Sequence, residues 1–232
     1  MFKFIVKTVF SFTLIVAVAH SQTNAEQVLQ KMQQKFDQVK NYQVDVKVKI
    51  DVDFLKVPES EATIYFKAPD KIAMKTGDKF ALMPKEGLNF NPGSLLKGKY
   101  SGVMEKDAKI NGRMNYTVKV IPTGSNSDVV LSTFWIDKET YYISRIETTT
   151  KTNGSFTLDL TYPSKSVYPL PSSMVFSFEV GMFNMPKAFG GGKGKEKGKG
   201  SGNPGAKTPG KVYITYKNYK VNKGVPDSVF KK

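Results

Sequence analysis

The residues that most enzymes use as nucleophiles or as general acids and bases are scarce in this sequence. It contains no cysteine and a single histidine, His20, which lies in an apolar N-terminal segment. Serine–histidine and cysteine–histidine catalysis needs an imidazole beside the nucleophile, and zinc sites are built mainly from thiolates and imidazoles. If the N-terminal segment is removed, the rest of the chain lacks the residues for histidine-dependent nucleophilic catalysis and for a zinc site of thiolates or imidazoles.

Carboxylates are the next candidates for chemistry. Asp51 and Asp53 are close enough in sequence to suggest a metal ion, but they alternate with Lys47 and Lys49, which is typical of solvated surface charge. No carboxylate pair lies in apolar sequence that would separate the two pKa values, as glycosidase-type catalysis requires. We therefore expect that the protein is not an enzyme and uses no metal ion or cofactor.

A stretch rich in glycine and lysine, "FGGGKGKEKGKGSGNPGAKTPGK" at 189–211, is the last candidate. Phosphate-binding loops open a helix and carry Ser or Thr after the lysine, but here Val212 and a strand-like run follow. RNA-binding arms interleave arginine and aromatic residues, which 190–210 lacks. The composition predicts a flexible insertion at about 186–210, whose lysines leave open a salt-sensitive contact with anionic head groups or an acidic partner.

The N-terminal segment has the pattern of an export signal. Lysines precede an apolar run from Val9 to Ala19, and Ala19-His20-Ser21 matches a small–x–small cleavage site. The run is shorter than the roughly 20 residues that a membrane-spanning helix needs. We expect residues 1–21 to be removed and 22–232 to form a single exported domain. Because lipid anchoring requires a cysteine, we expect a soluble mature chain whose core needs no disulfide.

The formal net charge is +15, and the lysines are distributed along the whole chain. Such a chain associates with anionic membranes, lipopolysaccharide or nucleic acid at low salt. Export makes nucleic acid the least expected of these partners. The charge therefore predicts transient contact with an anionic membrane and no nucleic acid.

The first predicted secondary-structure element is an amphipathic helix in "NAEQVLQKMQQKFDQVKNY". Asn24 and Gln27 have the spacing of a capping box at its start. A strand follows at once, because in "YQVDVKVKIDVDF" apolar residues alternate with Asp and Lys, giving one dry face and one charged face. The helix should pack on a sheet through its apolar stripe. That stripe consists of Ala25, Val28, Leu29, Met32, Phe36 and Val39.

Further strand patterns follow in series with short connections. Asn153-Gly154 predicts a two-residue hairpin turn between two of them. About ten strands without a second long helix argue against alternating α/β architecture and favour one large, curled antiparallel sheet. The predicted strands after the first are 62–67, 71–76, 79–83, 114–122, 129–137, 141–150, 155–162, 174–180 and 211–221.

Two apolar segments interrupt the strands. "GLNFNPGSLLKGKY" carries Leu95 and Leu96 after an Asn-Pro pair, which favours a short helix or an apolar loop tip. "GMFNMPKAF" carries Phe183 among methionines, which is typical of an adaptable apolar surface. Each segment is either a loop that plugs one end of a barrel or a mobile lid.

The order of several weak motifs resembles the LolA-like family of periplasmic lipoprotein carrier and sorting proteins. "ATIYFKAPDKIAMKTGDKFALMPKEGLNF" is similar to a strand–proline–basic–strand run, and "INGRMNYTVKVIPTG" to a glycine–aromatic–proline pattern. "STFWIDKETYYISRIETTTKTNGSFTLDLTY" resembles a pair of strands of the family, and "YPLPSSMVF" its late Leu-Pro turn. The positions concerned are Pro69, Lys71, Gly112, Tyr116, Pro122, Ile136, Asp137, Ile143, Arg145, Ile146, Gly154, Leu170 and Pro171.

The resemblance implies a mainly β (α+β) fold, namely an unclosed, strongly curved antiparallel β-barrel of about ten strands with an N-terminal helix and short lid elements. It also implies a periplasmic carrier that shields lipid or lipoprotein acyl chains in an apolar cavity during transfer towards the outer membrane, between membrane-associated donor and acceptor proteins. Trp135 and Ile136 lie on opposite faces of a strand, so only one of them can line the cavity. The candidate lining residues are Val46, Val48, Ile50, Ile64, Phe66, Met74, Phe80, Leu82, Trp135, Ile143 and Phe156, with Leu95, Leu96 and Phe183 as cover.

Two other functions fit the same patterns. A non-catalytic envelope sensor or scaffold of the same fold would bind a protein partner, and a stable partner recovered from lipid-free extract would favour it. A β protein that binds a surface glycan would use exposed Tyr141, Tyr142 and Tyr213 and would need no cavity.

Overall fold

The computed structural model describes residues 24–52, 58–76, 96, 98–124, 127–152, 154–179 and 209–231. The expected export signal, the strand expected at 79–83 and most of the glycine-rich insertion lie outside these ranges. Pro209 and Gly210, which we expected at the end of the insertion, already belong to the last strand.

The predicted helix is present as α1, Ala25–Phe36, but it ends three residues before Val39, the last residue of the predicted apolar stripe. Its capping box is present: Asn24 Oδ1 accepts from the backbone N–H of Gln27 at 2.8 Å, and the Gln27 side chain accepts from the backbone of Asn24. This pairing satisfies N–H groups that a helix start leaves unbonded. The apolar stripe is turned to the core, since Val28 and Met32 are fully buried.

Ten strands and a short 3₁₀ helix, Asp227–Phe230, make up the remaining regular structure of the described residues. The strands are β1 Asn41–Val52, β2 Ser60–Lys67, β3 Lys71–Thr76, β4 Tyr100–Ile110, β5 Arg113–Pro122, β6 Val129–Asp137, β7 Ile143–Thr150, β8 Ser155–Thr161, β9 Ser173–Glu179 and β10 Pro209–Val221.

Strand β4 is the element that the sequence patterns miss. Its sequence "YSGVMEKDAKI" contains a glycine and a run of charged residues, and most of its side chains are exposed. It is an edge strand that pairs with β5, with a register shift between Glu105 and Ala108. Apolar and polar residues alternate along a strand only where one of its faces is buried. The sequence of an exposed edge strand therefore shows little of this pattern.

The strands form one antiparallel sheet in the order β3-β2-β1-β10-β9-β8-β7-β6-β5-β4. The edge strands β3 and β4 do not pair with each other in the described chain, so the barrel is unclosed. A flat sheet of ten strands would be about 43 Å wide, whereas a helix is about 10 Å wide and could cover only part of it. Because residues on one face are buried in strands throughout the sheet, the sheet curls around α1. The predicted unclosed antiparallel barrel with an N-terminal helix is confirmed.

We call the face that packs against α1 the inner face. Gly102 of β4 marks how closely the helix approaches it, since an added Cβ there would lie 3.1 Å from Ala25 Cβ and 3.4 Å from Leu29 Cδ1. A larger residue would therefore push the helix away from the edge strand.

The opposite, outer face carries the charges, as the alternation of β1 predicts. Lys119 pairs with Glu105 at 2.9 Å, and Arg145 pairs with Asp159 at 2.6 Å, each across neighbouring strands. These exposed pairs keep one side of the sheet in water and contribute little stability individually. The alternation thus separates a hydrated surface from an apolar one.

Candidate functional site

The inner face of six neighbouring strands, β3-β2-β1-β10-β9-β8, carries no charged side chain at the described positions. The strand registers bring residues of successive strands side by side on this face, and many of them belong to the buried core. These residues are Ile72, Met74, Thr76, Ser60, Ala62, Ile64, Phe66, Tyr42, Val44, Val46, Val48, Ile50, Val52, Gly210, Val212, Ile214, Tyr216, Met174, Phe176, Phe178, Phe156, Leu158 and Leu160. An uncharged surface of this extent suits a hydrocarbon ligand.

The middle of the inner face is packed. Four of the residues predicted from sequence, Val46, Val48, Ile64 and Ile143, lie there and are at most 3% exposed. They share one core with the apolar stripe of α1. These four residues therefore hold the fold together around the helix.

At one end of the inner face, apolar side chains are less deeply buried. Ile50 and Phe156, both predicted from sequence, are half-buried there. Phe156 lies 5.4 Å from Phe176 between ring centroids, and Phe176 stacks on Phe178 at 5.1 Å. We call this region, made of Ile50, Phe156, Phe176 and Phe178, the phenylalanine end.

Two of its residues, Phe176 and Phe178, are absent from the sequence-based candidates although a signal for them exists. In "SMVFSFE" Met174, Phe176 and Phe178 alternate with smaller residues. The registers place Phe178 opposite Phe156 and Phe176 opposite Val212. Period-two reading of β9 therefore identifies them as inner-face residues.

The open edge of the barrel also shows half-buried apolar residues. Met74 and Ile72 lie on the edge strand β3, opposite Ile64 and Phe66 respectively. Phe66 in turn stacks on Tyr42 of β1 with 5.1 Å between ring centroids. Met74 and Phe66 are predicted candidates, and Met74 lies on the edge strand itself, whereas Phe66 is buried on the strand next to it.

The opposite end of the inner face is lined by tyrosines, and we call Tyr42, Tyr142, Tyr162, Tyr216 and Tyr219 the tyrosine end. The rings contact one another, with centroid distances of 5.1 Å for Tyr142 and Tyr162, 5.9 Å for Tyr42 and Tyr219, and 6.1 Å for Tyr216 and Tyr219. The contacts form two groups, one between the neighbouring strands β1 and β10 and one beside the neighbouring strands β7 and β8.

Three of these tyrosines hydrogen-bond to the backbone through their hydroxyls. Tyr142 donates to the Ser166 carbonyl at 3.2 Å, Tyr162 to that of Ile143 at 2.9 Å and Tyr219 to that of Pro171 at 3.0 Å. Such bonds satisfy buried carbonyls and fix the rings in place.

Burial sets the ionisation of these hydroxyls. It raises the pKa of Tyr42 to about 12 and raises the pKa of Tyr162, Tyr216 and Tyr219 above the usual range. The cause is desolvation, which disfavours the phenolate. All four hydroxyls therefore keep their protons at neutral pH and act as hydrogen-bond donors.

Trp135 does not belong with the other candidates, which corrects the prediction. It pairs with Thr117 and Arg145 on the outer face, and the guanidinium of Arg145 lies 5.9 Å from the centre of its ring. Its neighbour Ile136 is fully buried on the inner face instead. Alternation fixes that the two residues face opposite ways, but not which of them faces inwards.

The remaining candidates divide between described and undescribed parts of the chain. Leu96 is half-buried and packs against the core. Phe80, Leu82, Leu95 and Phe183 lie outside the described residues.

The tyrosines that a glycan surface would use are not on one surface. Tyr142 is 7% exposed with its hydroxyl bonded to the backbone. Tyr141 is half-buried between Tyr116, at 6.0 Å between ring centroids, and the Lys31 ammonium, at 5.1 Å from its ring centre. Only Tyr213 of the three is exposed, on the outer face.

No protein-family model matches the sequence, and no curated protein matches it. Solved structures do match. A domain described as an outer membrane lipoprotein-sorting protein, from Vibrio parahaemolyticus, aligns with a TM-score of 0.59 at 12% identity, over 89% of this chain and 97% of that one. A LolA superfamily protein from Nitrosomonas europaea aligns with a TM-score of 0.55 at 10% identity, over 91% and 99%. The chain has the LolA-like fold.

A DUF1329 family protein from Desulfovibrio piger is similar as well, with a TM-score of 0.59 at 12% identity over 89% of this chain and 95% of that one. At these identities the likeness shows the LolA-like fold alone. Within the described residues, no helix combines the length and the hydropathy that crossing a bilayer requires.

Proposed function

We propose that the protein is a non-catalytic carrier that shields the acyl chains of lipids or lipoproteins against the inner face of its open barrel. The observation that carries this proposal is the uncharged inner face of six neighbouring strands, with half-buried apolar residues at the phenylalanine end and at the open edge. The LolA-like fold of a lipoprotein-sorting domain supports it.

The energetics set what such a carrier has to provide. Burying one methylene contributes about 0.8 kcal/mol, so a sixteen-carbon chain that leaves a membrane loses on the order of 10 kcal/mol of stabilisation. The inner face supplies apolar surface to offset this loss. Because its middle is packed around α1, the acyl chain binds first at the half-buried residues Ile50, Met74, Phe156 and Phe178.

The same proposal includes the setting of the carrier. Residues 1–21 direct export and are removed, and the mature chain acts in the periplasm without a lipid anchor. It exchanges its cargo with membrane-associated donor and acceptor proteins on the way towards the outer membrane. The excess of lysines favours brief contact with anionic membrane surfaces during that exchange.

Titration of the mature protein with a fluorescent fatty acid tests the proposal. We expect saturable uptake by the wild type and a large loss of affinity in Ile50→Asp, because a carboxylate on the inner face has to be desolvated beside the hydrocarbon. Tyr213→Asp is the matched control, since it places the same group on the outer face of the neighbouring strand. Absence of saturable uptake by the wild type would refute the carrier function.

A further inference from the structure

Two tyrosines of the tyrosine end have unused hydroxyls. Tyr142, Tyr162 and Tyr219 each donate to a backbone carbonyl. In the part of the chain that the structure describes, the hydroxyls of Tyr42 and Tyr216 make no hydrogen bond to another protein group. These two hydroxyls therefore contribute no hydrogen bond that holds the fold together. A phenylalanine at either position would supply the same ring without a hydroxyl that has to be hydrated.

Both free hydroxyls belong to one small region of the inner face. Tyr42 lies opposite Phe66 on the neighbouring strand, and Tyr216 lies opposite Val46. The ring of Tyr219 contacts both, edge-on with Tyr42 at 5.9 Å and stacked with Tyr216 at 6.1 Å. Two half-buried donors therefore flank a single, fixed ring.

The surroundings select the kind of group that these donors would bind. Burial keeps the pKa of Tyr42 and of Tyr216 well above neutral pH, so both hydroxyls donate. Among the described residues, no charged side chain hydrogen-bonds to either hydroxyl or perturbs its pKa. A carboxylate would bring a charge without a counter-ion into an apolar region, whereas an ester or amide carbonyl brings an acceptor without charge.

We propose that Tyr42 and Tyr216 form a carbonyl-binding subsite, whose hydroxyls donate to the ester or amide carbonyl at the head of a bound acyl chain. The inference rests on the proposed carrier function. The neighbouring surface suits the hydrocarbon, because the apolar residues Phe66 and then Ile72 follow Tyr42 in a row across the strands to the open edge at β3. The subsite thus makes the carrier select acyl compounds over plain hydrocarbons.

The test compares ligands with and without a carbonyl. The probes are diphenylhexatriene, a hydrocarbon without an acceptor, and methyl dodecanoate labelled with carbon-13 at the carbonyl. We expect both to bind the wild type, and the carbonyl carbon of the bound ester to resonate downfield of its position in a hydrocarbon solvent. In the double variant Tyr42→Phe, Tyr216→Phe we expect the affinity for the ester to fall about fivefold per hydroxyl and the downfield shift to disappear.

Tyr142→Phe is the matched control. It removes a hydroxyl that bonds to the Ser166 carbonyl, and its ring contacts Tyr162 rather than the two donors, so it should lower the unfolding midpoint and leave the affinity for the ester and its carbon-13 shift unchanged. A parallel titration with carbon-13-labelled N-methyldodecanamide separates the two sources of a carbonyl. Weakening of both ligands in the double variant supports a subsite for esters and amides, and weakening of the ester alone supports one for lipid esters.

The two proposals fail in different ways. If the double variant binds the ester as tightly as the wild type and with the same carbonyl shift, the subsite is wrong and the carrier function stands. If the wild type binds neither the ester nor diphenylhexatriene, the carrier function is wrong and the subsite with it.

Discussion

The two ends of the inner face hold their aromatic rings by different forces. At the tyrosine end, three of the five hydroxyls bond to backbone carbonyls, and the nearby ends of β5 and β6 are joined by the ion pair of Arg113 and Asp137 at 2.5 Å. At the phenylalanine end, Phe156, Phe176 and Phe178 have rings that form no such bonds, so they are held by packing.

This difference separates stability from binding. Hydrogen bonds are directional and become costly when one partner is removed, so the tyrosine end tolerates little rearrangement. Apolar contacts are non-directional, so a bound hydrocarbon can take the place of a neighbouring side chain against a phenylalanine ring at little cost in free energy. We therefore expect the backbone-bonded tyrosines Tyr142, Tyr162 and Tyr219 to contribute to the stability of the barrel, and the phenylalanine end to supply affinity for the hydrocarbon part of an acyl chain.

The largest expected effect is at Asp137, at the end of β6. Its carboxylate is 5% exposed and accepts hydrogen bonds from Arg113, from Thr140 and from the backbone of Glu139. Asp137→Ala leaves these donors without their acceptor, although Arg113 is half-exposed and keeps its pair with Glu139, and we expect it to lower the free energy of unfolding by about 2–3 kcal/mol. Urea denaturation measures the loss. A loss below about 1 kcal/mol would show that this end does not control stability.

The second prediction concerns the acid stability that Asp137 contributes. Burial disfavours its ionised form, but the hydrogen bonds from Arg113 and Thr140 outweigh burial and lower its pKa from 3.8 to about 2. The contribution, about 2 kcal/mol, is complete above about pH 5 and is lost as the pH falls through 4 to about 2. Urea denaturation at pH 6 and pH 2 should show a drop that is about 2 kcal/mol smaller in Asp137→Asn. Equal drops in both proteins would contradict the assigned cause.

The third prediction contrasts the two ends directly. Phe156→Ala removes a half-buried ring from the phenylalanine end, and we expect about 1–2 kcal/mol less stability and an affinity for a fluorescent fatty acid about tenfold lower. Fluorescence titration and urea denaturation of the same preparations measure both quantities.

Tyr162→Phe provides the opposite case at the tyrosine end. Loss of its bond to the Ile143 carbonyl should lower stability by about 1 kcal/mol and leave the affinity for the fatty acid unchanged. If the two variants change affinity equally, stability and binding are not divided between the ends.

Particular residues show which parts of this arrangement the sequence predicts. The helix and β1 are predictable because their apolar periods, 3.6 and 2, and the capping pair at Asn24 are local properties. Strand β4 is not, because its exposed edge leaves no dry face to read. Local patterns thus predict elements whose two faces differ.

The candidate site depends more on tertiary structure. Alternation places Val46 and Ile50 on the same face, but only the position of α1 decides that Val46 is packed while Ile50 is half-buried. In the same way, the inward direction of Ile136 rather than Trp135 depends on how the sheet curls. The division into two ends is a property of strand register, which brings together residues far apart in sequence.

The smallest expected effect concerns the contact between α1 and the edge strand. In Gly102→Ala the new Cβ would lie 3.1 Å from Ala25 Cβ, so the N-terminal half of α1 has to shift by a few tenths of an ångström. We expect a loss of about 1 kcal/mol in stability, measured by urea denaturation, and faster uptake of the fluorescent fatty acid in stopped-flow experiments, because the helix covers the inner face less tightly. Gly124→Ala is the matched control, since nothing lies within 4 Å of its added Cβ. Unchanged or slower uptake by Gly102→Ala, with Gly124→Ala unchanged, would contradict the expectation that α1 limits access of acyl chains to the inner face.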